Sequence, residues 1–317
     1  MGGISAIADG VDEVRKAVRE NIRQGADHIK IMAGGGVSSP GDKLVHPQYS
    51  LEEITAIVDE AERSGRYVMA HVYSDVGIGR AVSRGVRSIE HGNFLKPDTA
   101  KLMHDKGAHL VPTLITYEAD AKYGMSFGWS EENAAKNAEV LASGLRSLEV
   151  ALEQEVNVGY GTDLCWSPKI YQADGLLIHQ KVCGAAEALR HATLNNAKVI
   201  RMEGMVGEIV PGAFADLVIL DADPSPASNA FPSTRARWSR SSRRAGRSGT
   251  TLPCSARLRE TEDERRAGIP CYSRLRATTG GRCCRRRAWR GHREGSTPAP
   301  SCGTPIRDRR RVNRIRR

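Results

Sequence analysis

The chain has 317 residues, enough for one large α/β domain or two ordinary ones, and its formal charge of +10 averages two unlike parts. Residues 225–317 hold 25 Arg, no Lys and six acidic residues, a charge of +19, which leaves residues 1–224 at −9. The basic balance of the whole therefore describes the tail, and no nucleic-acid role for residues 1–224 can be read from it. Two of the seven cysteines, Cys165 and Cys183, lie in the first part, which is no disulfide framework. No apolar run approaches the roughly 20 residues of a membrane span. The N-terminus has no basic stretch followed by an apolar one, so the expected location is cytoplasmic, with no membrane partner.

Val11, Val14, Val18 and Ile22 recur at helical spacing and predict a helix over 11–24 that stops at Gly25. Asp27-His-Ile-Lys-Ile-Met-Ala33 reads as a buried strand. Ser50, followed by Glu53, is a capping box that opens a helix to about Ser64, with Gly65 as its stop. Further strands are expected at 66–73, 86–91, 108–114 and 156–162, and helices near 75–84, 97–106, 131–154 and 185–203. Strands alternating with helices predict an α/β fold of parallel βαβ units. Residues 207–220 read as a tight turn flanked by short β segments.

The pattern stops near 225. Eight of the 93 tail residues are Val, Ile, Leu, Phe or Met, too few to offset chain entropy by burial. Arg, Ser, Gly, Pro, Ala and Cys dominate, a composition like that of a GC-rich gene read in the wrong frame. The tail is therefore read as a disordered or frameshifted appendage. A nucleic-acid-binding arm is the lesser alternative, because stacking residues are sparse: Trp238, Tyr272 and Trp289.

Four polar residues fall at or near the C-terminal ends of expected strands: Lys30, His71, His91 and Asp163. In a parallel α/β barrel that end is the catalytic rim. A Lys ammonium inside Ile-Lys-Ile-Met is costly unless paired or neutralised. Carboxylation by CO2 is one solution, since the resulting carbamate can bridge two metal ions. Tyr73, two residues after His71, shares its face and either touches substrate or packs. Ala33-Gly-Gly-Gly36 fits neither dinucleotide nor P-loop spacing and is read as a tight turn beside Lys30. His46, His104, His109, His179 and His191 lack ligand spacing. Cys165 is near the site mouth in sequence but has no base to activate it, and Cys283-Cys284 lacks zinc-site spacing.

Asp27-His-Ile-Lys-Ile-Met-Ala-Gly-Gly-Gly36, Ala70-His-Val-Tyr73, Ser88-Ile-Glu-His-Gly92 and Gly161-Thr-Asp163 occur in this order, followed by Ala192-Thr-Leu-Asn-Asn-Ala197 and the stretch from Gly204 to Val218. Together they resemble the amidohydrolase superfamily of metal-dependent hydrolases over residues 9–224, nearest its Xaa-Pro dipeptidase (prolidase-like) and imidazolonepropionase-related branch. The resemblance implies a (β/α)8 TIM barrel, of which about five of eight strands are legible, with a remnant of a small β-subdomain. Residues 1–203 would be the partial barrel, 204–224 the subdomain remnant and 225–317 the tail.

It further implies two Zn2+ ions per complete site. Lys30 would be the carboxylated bridging ligand, with His71 and His91 on one ion. Asp163 would bind the other ion and shuttle protons. The activity implied is hydrolysis of an amide bond in a dipeptide or N-acyl amino acid by a metal-activated water; related sites act on cyclic amides and lactones. The family's His-x-His pair, which binds that other ion, is missing from this sequence. His28 lies about 6–7 Å from Lys30 on the same face but a layer too deep to replace it. The chain thus reads as N-terminally truncated, and an inactive remnant is the alternative to an enzyme. Oligomerisation is left open.

Overall fold

Alternating strands and helices build a parallel sheet with its helices on one side. In the computed structural model the described residues are 5–164, 169–219, 239–242 and 311–316. Cys165, Cys283, Cys284, Trp238, Tyr272, Trp289 and most of the Arg-rich segment lie outside them. The elements are β1 (Ser5–Ile7), α1 (Gly10–Arg23), β2 (Ala26–Met32), α2 (Leu51–Arg63), β3 (Val68–Val72), α3 (Asp75–Ser83), β4 (Ser88–His91) and α4 (Pro97–Asp105). Then come β5 (His109–Val111), α5 (Leu114–Tyr123), α6 (Glu131–Glu153), β6 (Asn157–Val158), α7 (Asp174–Arg190) and α8 (Asn196–Val199). The last strands are β7 (Asp216–Ile219), β8 (Ser239–Ser242) and β9 (Arg311–Arg316).

The main sheet runs β1-β9-β2-β3-β4-β5-β6, with every pair parallel. The five strands read from the sequence are β2 to β6, an α/β arc of the partial-barrel kind. Among the described residues of 225–317, both segments are strands: β9 enters the sheet between β1 and β2, and β8 pairs antiparallel with β7. The arc is thus longer than the five strands expected.

Register divides the residues of the arc between two faces. Ile29, Ile31, Val72, Ile89 and Leu110, each 0% exposed, share one face and pack in a single cluster with helix residues Ile54, Ile57, Ile78, Met103 and Leu148. Each such side chain contributes roughly 1.5–3 kcal/mol. The opposite face carries Lys30, Met32, Met69, His71, Ser88, Glu90 and His109. The first helices form as their signals dictate. Ser50 and Glu53 make the reciprocal capping box, and Glu53, buried, also accepts from Gly10 N at 2.7 Å, which ties α1 to α2. Gly25 and Gly65 follow their helices at φ +90° and +67°.

Three expectations are corrected. The strand expected over 108–114 ends at Val111, because Pro112 cannot donate to the ladder, and α5 starts at Leu114. The helix expected at 185–203 begins at Asp174. Gly184 at φ 80°, ψ 166° kinks it and hides the periodicity of its first half, and a π-turn (His191–Asn195) leads into α8, which ends at Val199. Of the β segments expected in 207–220, the first does not form: Phe214 N bonds Met205 O in a turn-rich loop, and strand structure starts at Asp216. Among the described residues no helix is long and apolar enough to cross a membrane.

Candidate active site

Lys30 and His71 reach the rim by alternation alone: Met32 pairs with His71 and His71 with Glu90, so these side chains and Lys30 leave the same face of the sheet. His91 does not. It pairs with Val72, whose side chain faces the helices, and a regular strand would send the imidazole there. Its φ of +79° turns the residue instead, a conformation costing about 1–3 kcal/mol in a non-glycine residue and concentrated at functional sites. The His91 ring then meets His71 edge-on at 4.5 Å between centroids and stacks on Tyr73 at 5.0 Å; Tyr73 also meets His71 edge-on at 5.0 Å. Asp163, on the loop after β6, is likewise at positive φ, +48°, and its Oδ2 lies 4.0 Å from His91 Nε2.

Around the two imidazoles the fold supplies fixed oxygens. His71 Nε2 lies 3.3 Å from the Gly35 carbonyl. His91 Nδ1 lies 2.7 Å from Thr113 Oγ1 and 2.9 Å from Tyr117 OH, and the two hydroxyls are 3.1 Å apart. Burial pushes the Tyr73 and Tyr117 phenols up, so both stay protonated. Burial also raises Glu90, against which the Lys30 charge and a 2.9 Å bond from Ser88 Oγ act. Lys30, 8% exposed on β2, thus has an acidic neighbour on β4, across β3.

Asparagines of the Ala-Thr-Leu-Asn-Asn-Ala motif fasten the segment that leads to Asp163. Asn195 Nδ2 donates to Val158 O at 2.9 Å, while Asn196 accepts from Tyr160 N at 2.9 Å and donates to Tyr160 O at 2.8 Å. Thr116 Oγ1 donates to Asp163 O at 3.1 Å.

The sequence reading missed Glu90, Thr113 and Tyr117. Pro112 was the available signal: once it ends the strand, Thr113 and Tyr117 become an i, i+4 pair on one helical face. The remaining described histidines stand elsewhere. His28 stacks on Tyr67 at 5.3 Å, His46 and His104 are exposed, and His109, His179 and His191 are buried, His179 meeting Tyr160 at 5.4 Å and His191 at 5.2 Å.

Among the described residues no three His, Cys, Asp or Glu side chains gather as a metal cluster by themselves. The donors that converge are two imidazoles and a carboxylate at 4.0 Å from one of them; Lys30, on the same sheet face, would ligate only when carboxylated. Such a set fits one ion at catalytic-zinc ligand counts. For a second ion the described rim residues offer Asp163 and, were Lys30 carboxylated, its carbamate, without an imidazole, which does not fit.

Comparison with known proteins agrees with this geometry. The Amidohydrolase family model matches residues 1–244. Ochratoxinase of Aspergillus niger is 34% identical over 223 residues, 70% of this chain and 46% of its own length. A prolidase crystallised with N-methylphosphonate-L-proline is 48% identical with a TM-score of 0.70, covering 72% of this chain and 56% of the other. A Xaa-Pro dipeptidase with bound methionine is 32% identical with a TM-score of 0.64, covering 69% and 54%. The chain spans about half the length of the curated relatives it matches. With a match over residues 1–244 and the motif residues brought to one rim, the chain belongs to the amidohydrolase family.

Proposed function

We propose that this chain is built for metal-dependent hydrolysis of an amide bond in a dipeptide or N-acyl amino acid, and that it carries the donor set of one of two Zn2+ ions. The observation that carries the reading is the convergence of His71, His91 and Asp163, with Lys30 on the same sheet face, at the C-terminal mouth of parallel strands. The prolidase and Xaa-Pro dipeptidase likenesses support the substrate class.

In this reading Lys30, as its carbamate, His71 and His91 hold the ion, with Asp163 alongside. When bound, the ion would acidify water and polarise the scissile carbonyl. Asp163 takes the water's proton and passes it to the leaving amine; its half-exposed position next to His91 Nε2 suits a group that must meet both. Thr113 and Tyr117 fix the His91 ring through Nδ1 so that Nε2 points toward Asp163. Tyr73, stacked on His91 and kept protonated by burial, contributes a phenol O–H for substrate binding.

A second reading, a metal-binding chain without turnover, draws on the absence of an imidazole for a second ion among the described rim residues. Purified chain with Zn2+ and bicarbonate, assayed on dipeptides, N-acyl amino acids, lactones and cyclic amides, separates the readings. Zinc binding lost in His71→Ala is expected under both. Turnover of lactones or cyclic amides alone would change the substrate class, and no zinc binding at all would defeat both readings.

A further inference from the structure

The loop joining β2 to α2 passes over His71, and α6 grips it. The loop is tightly folded on itself: a Cβ on Gly35 would stand 2.2 Å from Lys43 O and 2.8 Å from Asp42 Oδ1, a close approach that only glycine allows. Lys136 Nζ donates to three of the loop's carbonyls, Gly36 at 3.2 Å, Ser39 at 2.6 Å and Asp42 at 3.1 Å, and stands 3.3 Å from Glu132. Its side chain is 11% exposed. One turn earlier, Asn133 donates to Val37 O at 2.6 Å. An ammonium has three N–H donors, and here the backbone of one loop takes all three. A substitution at 136 therefore frees three carbonyls at once.

We propose that Lys136 is a positioning residue for His71. By fixing the Gly36–Asp42 turn it holds the adjoining Gly35 carbonyl against His71 Nε2 and so sets the tautomer of His71. The inference rests on the proposed function, in which His71 ligates as a neutral imidazole. A carbonyl only accepts, so the 3.3 Å contact places the hydrogen on Nε2 and the lone pair on Nδ1. Nδ1 is then the nitrogen that can ligate. At 3.3 Å the bond is just longer than the usual range of about 2.7–3.2 Å, and a small outward shift of the loop would lose it. His91 takes its orientation from Thr113 and Tyr117, outside this loop, and is an internal control.

The test is a long-range 1H–15N correlation spectrum of the full chain labelled with 15N-histidine, without metal, at about pH 8.5, where an ordinary imidazole is neutral. Wild type should show His71 as the Nε2–H tautomer. Lys136→Met should lower its Nε2–H to Nδ1–H ratio about twofold, the weight of a hydrogen bond at the weak end of the usual scale, and leave the His91 pattern unchanged. Lys136→Arg, with charge and donors kept, should restore the ratio. If Lys136→Met does not fold, Lys136→Gln decides in its place, with a fall in the ratio again required. A wild-type His71 protonated on Nδ1, a ratio unchanged in Lys136→Met (or in Lys136→Gln where it stands in), or a change shared equally by His91 overturns the proposal. Because no metal or substrate is present, that result is distinct from any failure of the dipeptide assay.

Discussion

His71 and His91 are 8% and 3% exposed, and each presents a ring nitrogen to an oxygen that the fold holds still, whereas Asp163, across the rim, sits on a loop with its side chain 38% exposed. The imidazole side is thus organised before any ligand arrives; the carboxylate side is positioned through its backbone, by Asn195, Asn196 and Thr116. A metal ligand gains affinity when its orientation costs nothing at binding, while a proton shuttle must reach two partners in turn. Under the proposed function, the contrast assigns zinc affinity to the imidazole side and turnover to the carboxylate side.

The largest expected effect concerns turnover. With imidazoles for one ion only among the described rim residues, a bound water would be less acidified and the carbonyl less polarised than in a two-ion site, each worth several kcal/mol. Because about 1.4 kcal/mol is tenfold in rate, the chain with Zn2+ and bicarbonate should hydrolyse dipeptides and N-acyl amino acids many orders of magnitude more slowly than ordinary enzymes. Rates of roughly 1–1000 per second, abolished by chelator and by His71→Ala, would show that the carboxylate side suffices for the second ion.

Zinc affinity sharpens the contrast directly. Calorimetric titration should show His91→Ala weakening binding at least 100-fold, and Thr113→Val or Tyr117→Phe weakening it about 10–100-fold, the usual range for partners behind a ligand. Asp163→Asn should cost less than about tenfold. Equal losses at Asp163 and His91 would erase the difference between the two sides.

How much of this was legible from the sequence follows from the same contrast. Lys30 and His71 were readable because a period of two in an apolar strand fixes their face. His91 reached the rim in the sequence reading only through its motif, since alternation alone points it the wrong way and a positive φ is invisible in a run such as Ser-Ile-Glu-His-Gly. Thr113 and Tyr117 were lost with the helix that Pro112 announces. Helix α7 was half-read because Gly184 breaks its period. The pairing of β9 beside β2 had no local signal at all: its partners lie about 280 residues apart in register.

Acid should loosen the carboxylate side first. His179 Nδ1 and His191 Nδ1 are 2.9 Å apart, one donating and one accepting, so the accepting ring is neutral, and burial pushes the two down to about 3 and about 4. Burial likewise takes His109 to about 4. In the unfolded chain these rings titrate near 6.5. Below that pH the unfolded state binds more protons, so their contribution is complete above about pH 6.5 and is lost as pH falls toward about 4. The expected loss by pH 5 is on the order of 1 kcal/mol per histidine, read from urea unfolding at pH 7 and pH 5. His191 begins the π-turn that ends in Asn195, so amide exchange should rise in 157–164 before 68–72. Protection lost first at 68–72 would reverse the assignment of the softer side.

The smallest effect isolates the backbone tether. Thr116→Val removes the hydroxyl that bonds Asp163 O at 3.1 Å and reaches Asp120 Oδ2 at 3.3 Å, with nearly unchanged volume. A neutral hydrogen bond contributes about 0.5–1.5 kcal/mol, and the second contact is too long to add much. The variant should therefore lose about 1 kcal/mol in urea unfolding. Because Asp163 holds φ +48° against its intrinsic preference, the tether is one of the contacts that retain that strained residue, and amide exchange at 162–164 should quicken by more than the global loss requires. Zinc affinity should stay within about twofold, because His71 and His91 keep every contact described for them. A loss of affinity as large as that of Tyr117→Phe would mean that Asp163 is a primary ligand of the first ion and that the two sides of the rim are one unit.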